Sequence, residues 1–417
     1  MKQYEIDIAR RLTFGGDKGR RSPAVKVAEV SVALSIAVMI IAIGIVYGFK
    51  QEITRKVIGL NPQITIYPMT EEGVDRPYIS LDEDLTAFLD SLPYIKKWEP
   101  MVNTLALLKS KDNFQGLYLN GLSGTYDTSF LSENLTEGSL PDFKNSKGDS
   151  NKILISAHMA NDMKLAAGDS INVYSFGNGI GLKRMKVEGV YDTHLDMFDK
   201  VLAYTPLSTA SQLGEYGQWE VSAINISVGD IERVPEATSR LINDFTAYNQ
   251  NLSNLSPQSV TITNILEQCR GIFGWLGMLD TNVWVIITLL TLVSAFTLIS
   301  GMLIIILEKV RFIGVMKAMG ASSASIRHIF VWLAMRIGSR GILYGTIAGL
   351  GLLALQHFFK LLRLNPEAYY MNYAPVAFPW LAFAGVIIGF SLIIYLILVL
   401  PSRMVSRISP SESMRFE

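Results

Sequence analysis

The residues able to do chemistry are few and scattered. The densest group of ligand types is His194 with Asp192, Asp196 and Asp199, a spacing that could set two or three donors around a cation. Runs of His and Asp in loops are usually solvated, and an ordinary loop is the preferred reading. The other histidines, His158, His328 and His357, form no His-Glu-x-x-His pair, so metalloprotease chemistry has no support. No Gly-x-Ser-x-Gly elbow presents a nucleophilic serine. No Gly-x-x-x-x-Gly-Lys-Ser/Thr loop is present, so the chain cannot hold a nucleotide by that device. Gly15-Gly16-Asp17-Lys18-Gly19 lacks a preceding strand and reads as a cytoplasmic turn. The lone Cys269 rules out an internal disulfide framework and a Cys-cluster metal site. We therefore expect no catalytic, cofactor-binding or metal-ligating residue, and an intrinsic enzyme is the least favoured class.

The elements that could position such residues are dominated by apolar helices. Of 417 residues, 49% are apolar and 18% charged, which excludes a disordered chain, a coiled coil and a nucleic-acid binder with a large basic face. Four stretches contain no Asp, Glu, Lys or Arg: Val30–Phe49, Val283–Leu307, Gly341–Phe359 and Val376–Leu400. Each is long enough to cross about 30 Å of hydrocarbon at 1.5 Å per residue. The third begins near Ile329, with Arg336 and Arg340 able to snorkel to headgroups. Val30–Phe49 is followed by Lys50-Gln51-Glu52, no small-residue cleavage site, and is an uncleaved first span.

The net charge of zero hides a partition. Residues 50–275 hold 19 Lys+Arg against 28 Asp+Glu, and the remainder holds 18 against 9. The basic residues outside the acidic segment cluster at the N-terminus (Lys2, Arg10, Arg11, Lys18, Arg20, Arg21, Lys26), in 309–340, and at Arg403, Arg407 and Arg415. Positive loops stay inside, so both termini and the loop between spans two and three are cytoplasmic. The expected organisation is an interfacial N-terminus at 1–26, spans at 27–49, 281–307, 331–359 and 376–400, a cytoplasmic segment at 308–330, a short outer loop at 360–375 and a cytoplasmic tail at 401–417. A large α+β domain at 50–280 lies outside, between spans one and two, with a mostly-β insertion over about 126–220.

Within that outer domain, Gln63–Tyr67 alternates and stops at Pro68, as a strand does. Residues 82–92 read as an amphipathic helix with Ser80 as N-cap. Strands are expected at 153–155, 171–174, 185–190 and 201–204, with a helix over Ala157–Leu165. Ile262, Ile265, Leu266, Cys269, Phe273, Leu276 and Leu279 have helical spacing and run into the second span. That predicts one rod of some 45 residues, about 65 Å long.

Two features inside the membrane and at its inner face stand out. Gly341, Gly345 and Gly349 share one face of the third span, where small residues let helix backbones approach. Between the second and third spans, charges at Glu308, Lys309, Arg311, Lys317 and Arg327 alternate with apolar residues. Gly320 can end one helix in the left-handed conformation and Ser322 can cap the next. Such a helix pair wants a protein groove or the bilayer interface.

This segment resembles a known signature. Glu308, Arg311, Ile313, Gly314, Lys317, Gly320, Ala321 and Ser322 fall on the pattern E-x-x-R-x-I-G-x-x-K-A-L-G-A-S of the FtsX-like permeases of ABC transporters, with Met319 in place of the common Leu. Lys152 to Ser170, with Leu165 to Asp169 on L-x-x-G-D, resembles the outer-domain pattern of the same permeases, and Tyr47 to Ile53, Asn365 to Val376 and the tail from Pro401 to Glu417 resemble their lipoprotein-releasing LolC/LolE subgroup. The resemblance implies a permease that dimerises with a second copy or a homologous permease and recruits separate cytoplasmic ATPase subunits. Glu308, Arg311, Ile313, Gly314, Lys317, Gly320, Ala321, Ser322 and Ile326 would form the coupling helix region. It further implies mechanotransmission, in which ATP hydrolysis moves the outer domains through long helices. The cargo would be lipoprotein drawn from the inner membrane and passed to a periplasmic carrier. Another mechanotransmitter (an exporter with an adaptor, or a regulator of cell-wall hydrolases) is the alternative within the family. A membrane-anchored binding protein without energy coupling is the alternative outside it.

Overall fold

The computed structural model describes residues 23–69, 77–110, 113–144, 151–176, 180–251 and 259–402. The glycine-rich turn at 15–19, the basic residues up to Arg21 and the tail from Arg403 lie outside them. In chain order the elements are helix α1 (Pro23–Leu60), strands β1 (Ile64–Pro68) and β2 (Ile79–Ser80), helix α2 (Glu83–Ser91), and strands β3 (Lys97–Lys109) and β4 (Phe114–Leu122). Next come α3 (Ser129–Glu133), β5 (Leu135–Gly138), β6 (Lys152–Ser156), α4 (Ala157–Met163), β7 (Ser170–Phe176), β8 (Ile180–Tyr191), α5 (Asp196–Asp199), β9 (Leu202–Pro206) and α6 (Leu207–Leu213). They are followed by β10 (Glu220–Val221), β11 (Ala223–Ser227), α7 (Val234–Asn251), β12 (Val260–Asn264) and α8 (Ile265–Gln268). The chain ends in α9 (Arg270–Glu308), α10 (Val310–Ala318), α11 (Ser323–Phe359), α12 (Pro366–Tyr369) and α13 (Trp380–Ser402).

These elements divide into two compact units. One comprises the described residues up to 51, 275–363 and those from 373 onward; the other comprises 52–274 and 364–372.

The first unit is a bundle of the four helices long and apolar enough to span a membrane, which lie in α1, α9, α11 and α13. Lipid tails supply no hydrophobic drive for helices to associate, so close packing and interhelical hydrogen bonds must. The glycine face provides the packing. A Cβ on Gly345 would fall 2.4 Å from the Ala33 carbonyl oxygen, one on Gly341 2.7 Å from Val32 Cβ, and one on Gly349 3.1 Å from Ala37 Cα. The partner of this face is therefore α1 of the same chain. From the other side, a Cβ on Gly44 would meet Leu353 at 2.6 Å. A hydrogen bond of 2.6 Å between the buried hydroxyls of Ser35 and Ser294 joins α1 to α9. Ile36, Met39 and Ile40 of α1, Leu298 and Met302 of α9, and Phe330 and Leu333 of α11 close the core.

The second unit is α/β and carries two cores on one mixed sheet. The strand order is β12-β1-β11-β3-β4-β9-β6-β8-β5, with β7 pairing both β3 and β8. Ile64, Ile66, Ile224 and Ile226 face Leu85 and Leu89 of α2 and Leu241 and Phe245 of α7 in the first core. Leu117, Leu119, Ile153, Ile155, Val173 and Val187 pack with Met159 and Met163 of α4 in the second. The long strand β3 serves both: Lys97–Met101 pairs β11, and Val102–Lys109 pairs β4.

Two sequence expectations are corrected. Ser80 does not cap α2, because it pairs with Glu220 in the β2–β10 ladder; the cap is Asp82, whose carboxylate accepts from the Leu85 amide at 2.7 Å. Thr261–Asn264 is not helical. The β-branched Thr261, Ile262 and Thr263 alternate and join β1 in antiparallel register, Ile262 opposite Ile66. The helix starts at α8, capped by Asn264, and is interrupted at Cys269, whose ψ of 32° is not helical. The unbroken rod is α9, 39 residues or about 58 Å. The first span belongs to a rod of similar length, since α1 holds 38 residues.

Replacing Gly345 with Leu should force α11 away from α1 and destabilise the bundle by about 3 kcal/mol. Replacing Gly351, where a Cβ meets nothing within 4 Å, should leave stability unchanged. Thermal melts of the two variants in the same detergent test the contrast.

Candidate functional site

The signature segment folds as α10 and the start of α11, and its residues divide by burial. Ile313, Gly314 and Met316 turn into the bundle core, as do Ile326, Ile329 and Phe330. Ile313 and Ile326 are essentially inaccessible. They fix the segment to the bundle. The opposite face of α10 carries Arg311 and Val315 and is continued by the C-cap Met319, spaced four apart and all exposed, with Met319 73% accessible. Glu308 and Ser322 are exposed as well, while Lys317 and Ala321 are half-buried.

The turn between the two helices is built by local hydrogen bonds. Gly320 takes φ +88°, and its amide donates to the Lys317 carbonyl at 3.0 Å. The Ala321 amide donates to the Met316 carbonyl at 2.9 Å, which completes a Schellman stop. Ser322 Oγ then accepts from the Ser325 amide at 3.2 Å, starting α11 one residue later. A helix stopped and restarted within four residues presents a short face held in a fixed direction. Sequence reasoning named the charged and signature positions but not the apolar pair Val315 and Met319 as their exposed companions. The four-residue spacing from Arg311 was the available signal.

The His/Asp group of the second unit folds into a turn rather than around a common point. The Nδ1 of His194 lies 2.7 Å from Asp192 Oδ1. Asp199 accepts from the Thr193 hydroxyl at 2.7 Å and from its amide at 3.1 Å. Asp196 pairs instead with Lys200 at 2.9 Å. Among the described residues no three His, Cys, Asp or Glu side chains converge as ligands. The bond from His194 holds the Asp192 carboxyl below its usual range. Burial pushes Asp199 up to about 6, against the lowering effect of Thr193.

Residues 30–244 match the MacB-like periplasmic core domain, and residues 284–410 match the FtsX-like permease C-terminal domain. The chain belongs to the FtsX-like permeases of ABC transporters. It is 21% identical to the lipoprotein-releasing system transmembrane protein LolE of Haemophilus influenzae, over 93% of each chain. It is 23% identical to LolC of Neisseria meningitidis, over 94% of each. The periplasmic region of MacB from Actinobacillus actinomycetemcomitans aligns with 52% of this chain and 95% of its own, at 17% identity and a TM-score of 0.34. The chain is accordingly an inner-membrane permease subunit and not itself an enzyme. The domain between the first and second spans is its periplasmic core.

Asp199 gives this domain a pH signature. Its folded pKa of about 6 exceeds the unfolded value of about 3.9, so its contribution is fully present below the unfolded value and is lost as pH rises through 6. Relative to an Asp199→Asn variant, the wild type should gain about 1 kcal/mol between pH 7 and pH 5. Denaturation midpoints of both chains at the two pH values test this.

Proposed function

We propose that this permease is the membrane subunit of a lipoprotein-releasing system, driven by ATPase subunits docked on α10. The observation that carries the reading is the exposed Arg311–Val315–Met319 stripe on a helix whose opposite face is locked into the bundle. A docking face of that kind transmits a push because it cannot tilt independently of α11. Two relatives that align over nearly the whole chain bear the name lipoprotein-releasing, which supports that cargo over export with an adaptor or control of cell-wall hydrolases.

In this reading the permease pairs with a second copy or with a sister permease. Glu308, Arg311, Lys317 and Ser322 make the polar contacts to the ATPase, Val315 and Met319 the apolar ones, and Ile313, Gly314, Gly320, Ala321 and Ile326 hold the geometry. Force travels along α1 and α9, each close to 60 Å of continuous helix. The exposed apolar side chains Trp284, Leu289, Leu292, Val293 and Phe296 of α9 offer a surface compatible with acyl chains. Cargo released there would pass to a periplasmic carrier.

Charge reversal at both Arg311 and Lys317 should reduce recovery of the co-expressed ATPase at least tenfold on purification in mild detergent, with membrane insertion intact. Undiminished ATPase recovery would count against docking on α10. Triacylated protein carried along with the wild-type complex would support the cargo, and its consistent absence would argue for another mechanotransmitter.

A further inference from the structure

The periplasmic unit contains a buried lysine that the transport reading does not use. Lys56 lies four residues before the end of α1 and is 6% exposed. Its Nζ donates to the Thr193 carbonyl at 2.6 Å and to the Tyr370 carbonyl at 2.7 Å. The two acceptors come from segments far apart in sequence, the turn after β8 and the loop between α11 and α13. Burial pushes the Lys56 pKa below its ordinary value, and the charges of Glu52, Asp199 and Asp192 oppose that by favouring the ammonium.

A second contact runs beside the first. With Nδ1 of His194 against Asp192, its Nε2 is left to accept, and Asn372 Nδ2 donates to it at 3.0 Å. The loop is also closed on itself. The Leu364 amide donates to the Asn372 carbonyl at 3.0 Å, and the Tyr370 amide to the Pro366 carbonyl at 2.8 Å. Residues 364–372 consequently pack with the periplasmic unit, although the chain on either side of them belongs to the bundle. Among the described residues five non-glycines hold positive φ, and two of them are His194 (59°) and Tyr370 (61°). Bulky residues keep that backbone only where surrounding contacts over-determine it, and such strain gathers at clamps and switches. Here it turns the Tyr370 carbonyl toward the lysine.

We propose that Lys56 is a positioning residue which, with His194, clamps the 364–372 loop to the periplasmic unit. The clamp makes the loop a third mechanical attachment alongside α1 and α9. Displacement of the outer end of α1 then reaches the α11–α13 connection directly, through a charge-assisted bond to a backbone carbonyl. The clamp stands on its own geometry; its part in force transmission rests on the transport reading above.

Hydrogen–deuterium exchange of the full chain in mild detergent tests the clamp. Lys56→Met, which keeps the length and removes the ammonium, should speed exchange across 364–372 about tenfold while β1 and β12 keep their protection. Exchange in that loop at the wild-type rate would overturn the proposal. If Lys56→Met exchanges everywhere because it fails to fold, the exposed Asn372→Ala decides. A two- to threefold rise confined to the loop supports the clamp, and no rise overturns it. In complex with its ATPase, Lys56→Met should retain basal hydrolysis and lose stimulation by a synthetic triacylated lipopeptide. Faster loop exchange with stimulation intact would reduce Lys56 to a structural residue and overturn its positioning role. A wild-type chain that recruits no ATPase would sink the transport reading, and the exchange measurement, made on the chain alone, would still decide the clamp.

Discussion

The fold of the bundle depends on how closely α11 can lie against α1. In hydrocarbon there is no water to expel between helices, so contact distance and a few polar pairs decide whether they associate. Gly341, Gly345 and Gly349 let α11 rest on the backbone of α1 at Glu29, Ala33 and Ala37. With α1 held there, Ser35 meets Ser294 of α9. The first span thus organises the bundle, and the same helix continues through Lys56 to Leu60 in the periplasmic unit. Along 341–349, α11 and α1 are held backbone to backbone.

Rigidity at one end and continuity along the rods make complementary demands on sequence. Continuity asks for long runs with no internal proline, and α1 and α9 have them. Rigidity at the inner face asks for the opposite: a stop and a restart within a few residues, supplied by the left-handed Gly320 and the Ser322 cap. A single unbroken helix from α9 into α11 could not turn back to present Arg311, Val315 and Met319 on a short exposed helix.

The four spans, their orientation and the α/β domain between the first two were legible because each rests on a one-dimensional signal: charge-free length, charge asymmetry, or alternation. The ends of elements were harder to read. Ser80 and Asp82 are both good caps locally, and pairing with Glu220, 140 positions away, removed Ser80 from the competition. Ile262 and Ile265 fit a helix as well as a strand followed by a helix; the partner strand β1 decided it. The signature residues of α10 were readable, but which of them are covered was not, since burial of Ile313 and exposure of Val315 follow from tertiary packing. Lys56 gave no local signal. Its two acceptors are carbonyls, which carry no side-chain identity.

The sharing of β3 between two cores has its own result. Thirteen consecutive residues belong to one ladder at their start and another at their end, so neither half of the periplasmic unit owns a complete sheet. Were one lobe to unravel, the other would be left holding half of a strand whose far end had lost its partners. The two lobes are thus tied through the backbone of a single strand, and disorder in one begins at the edge of the other.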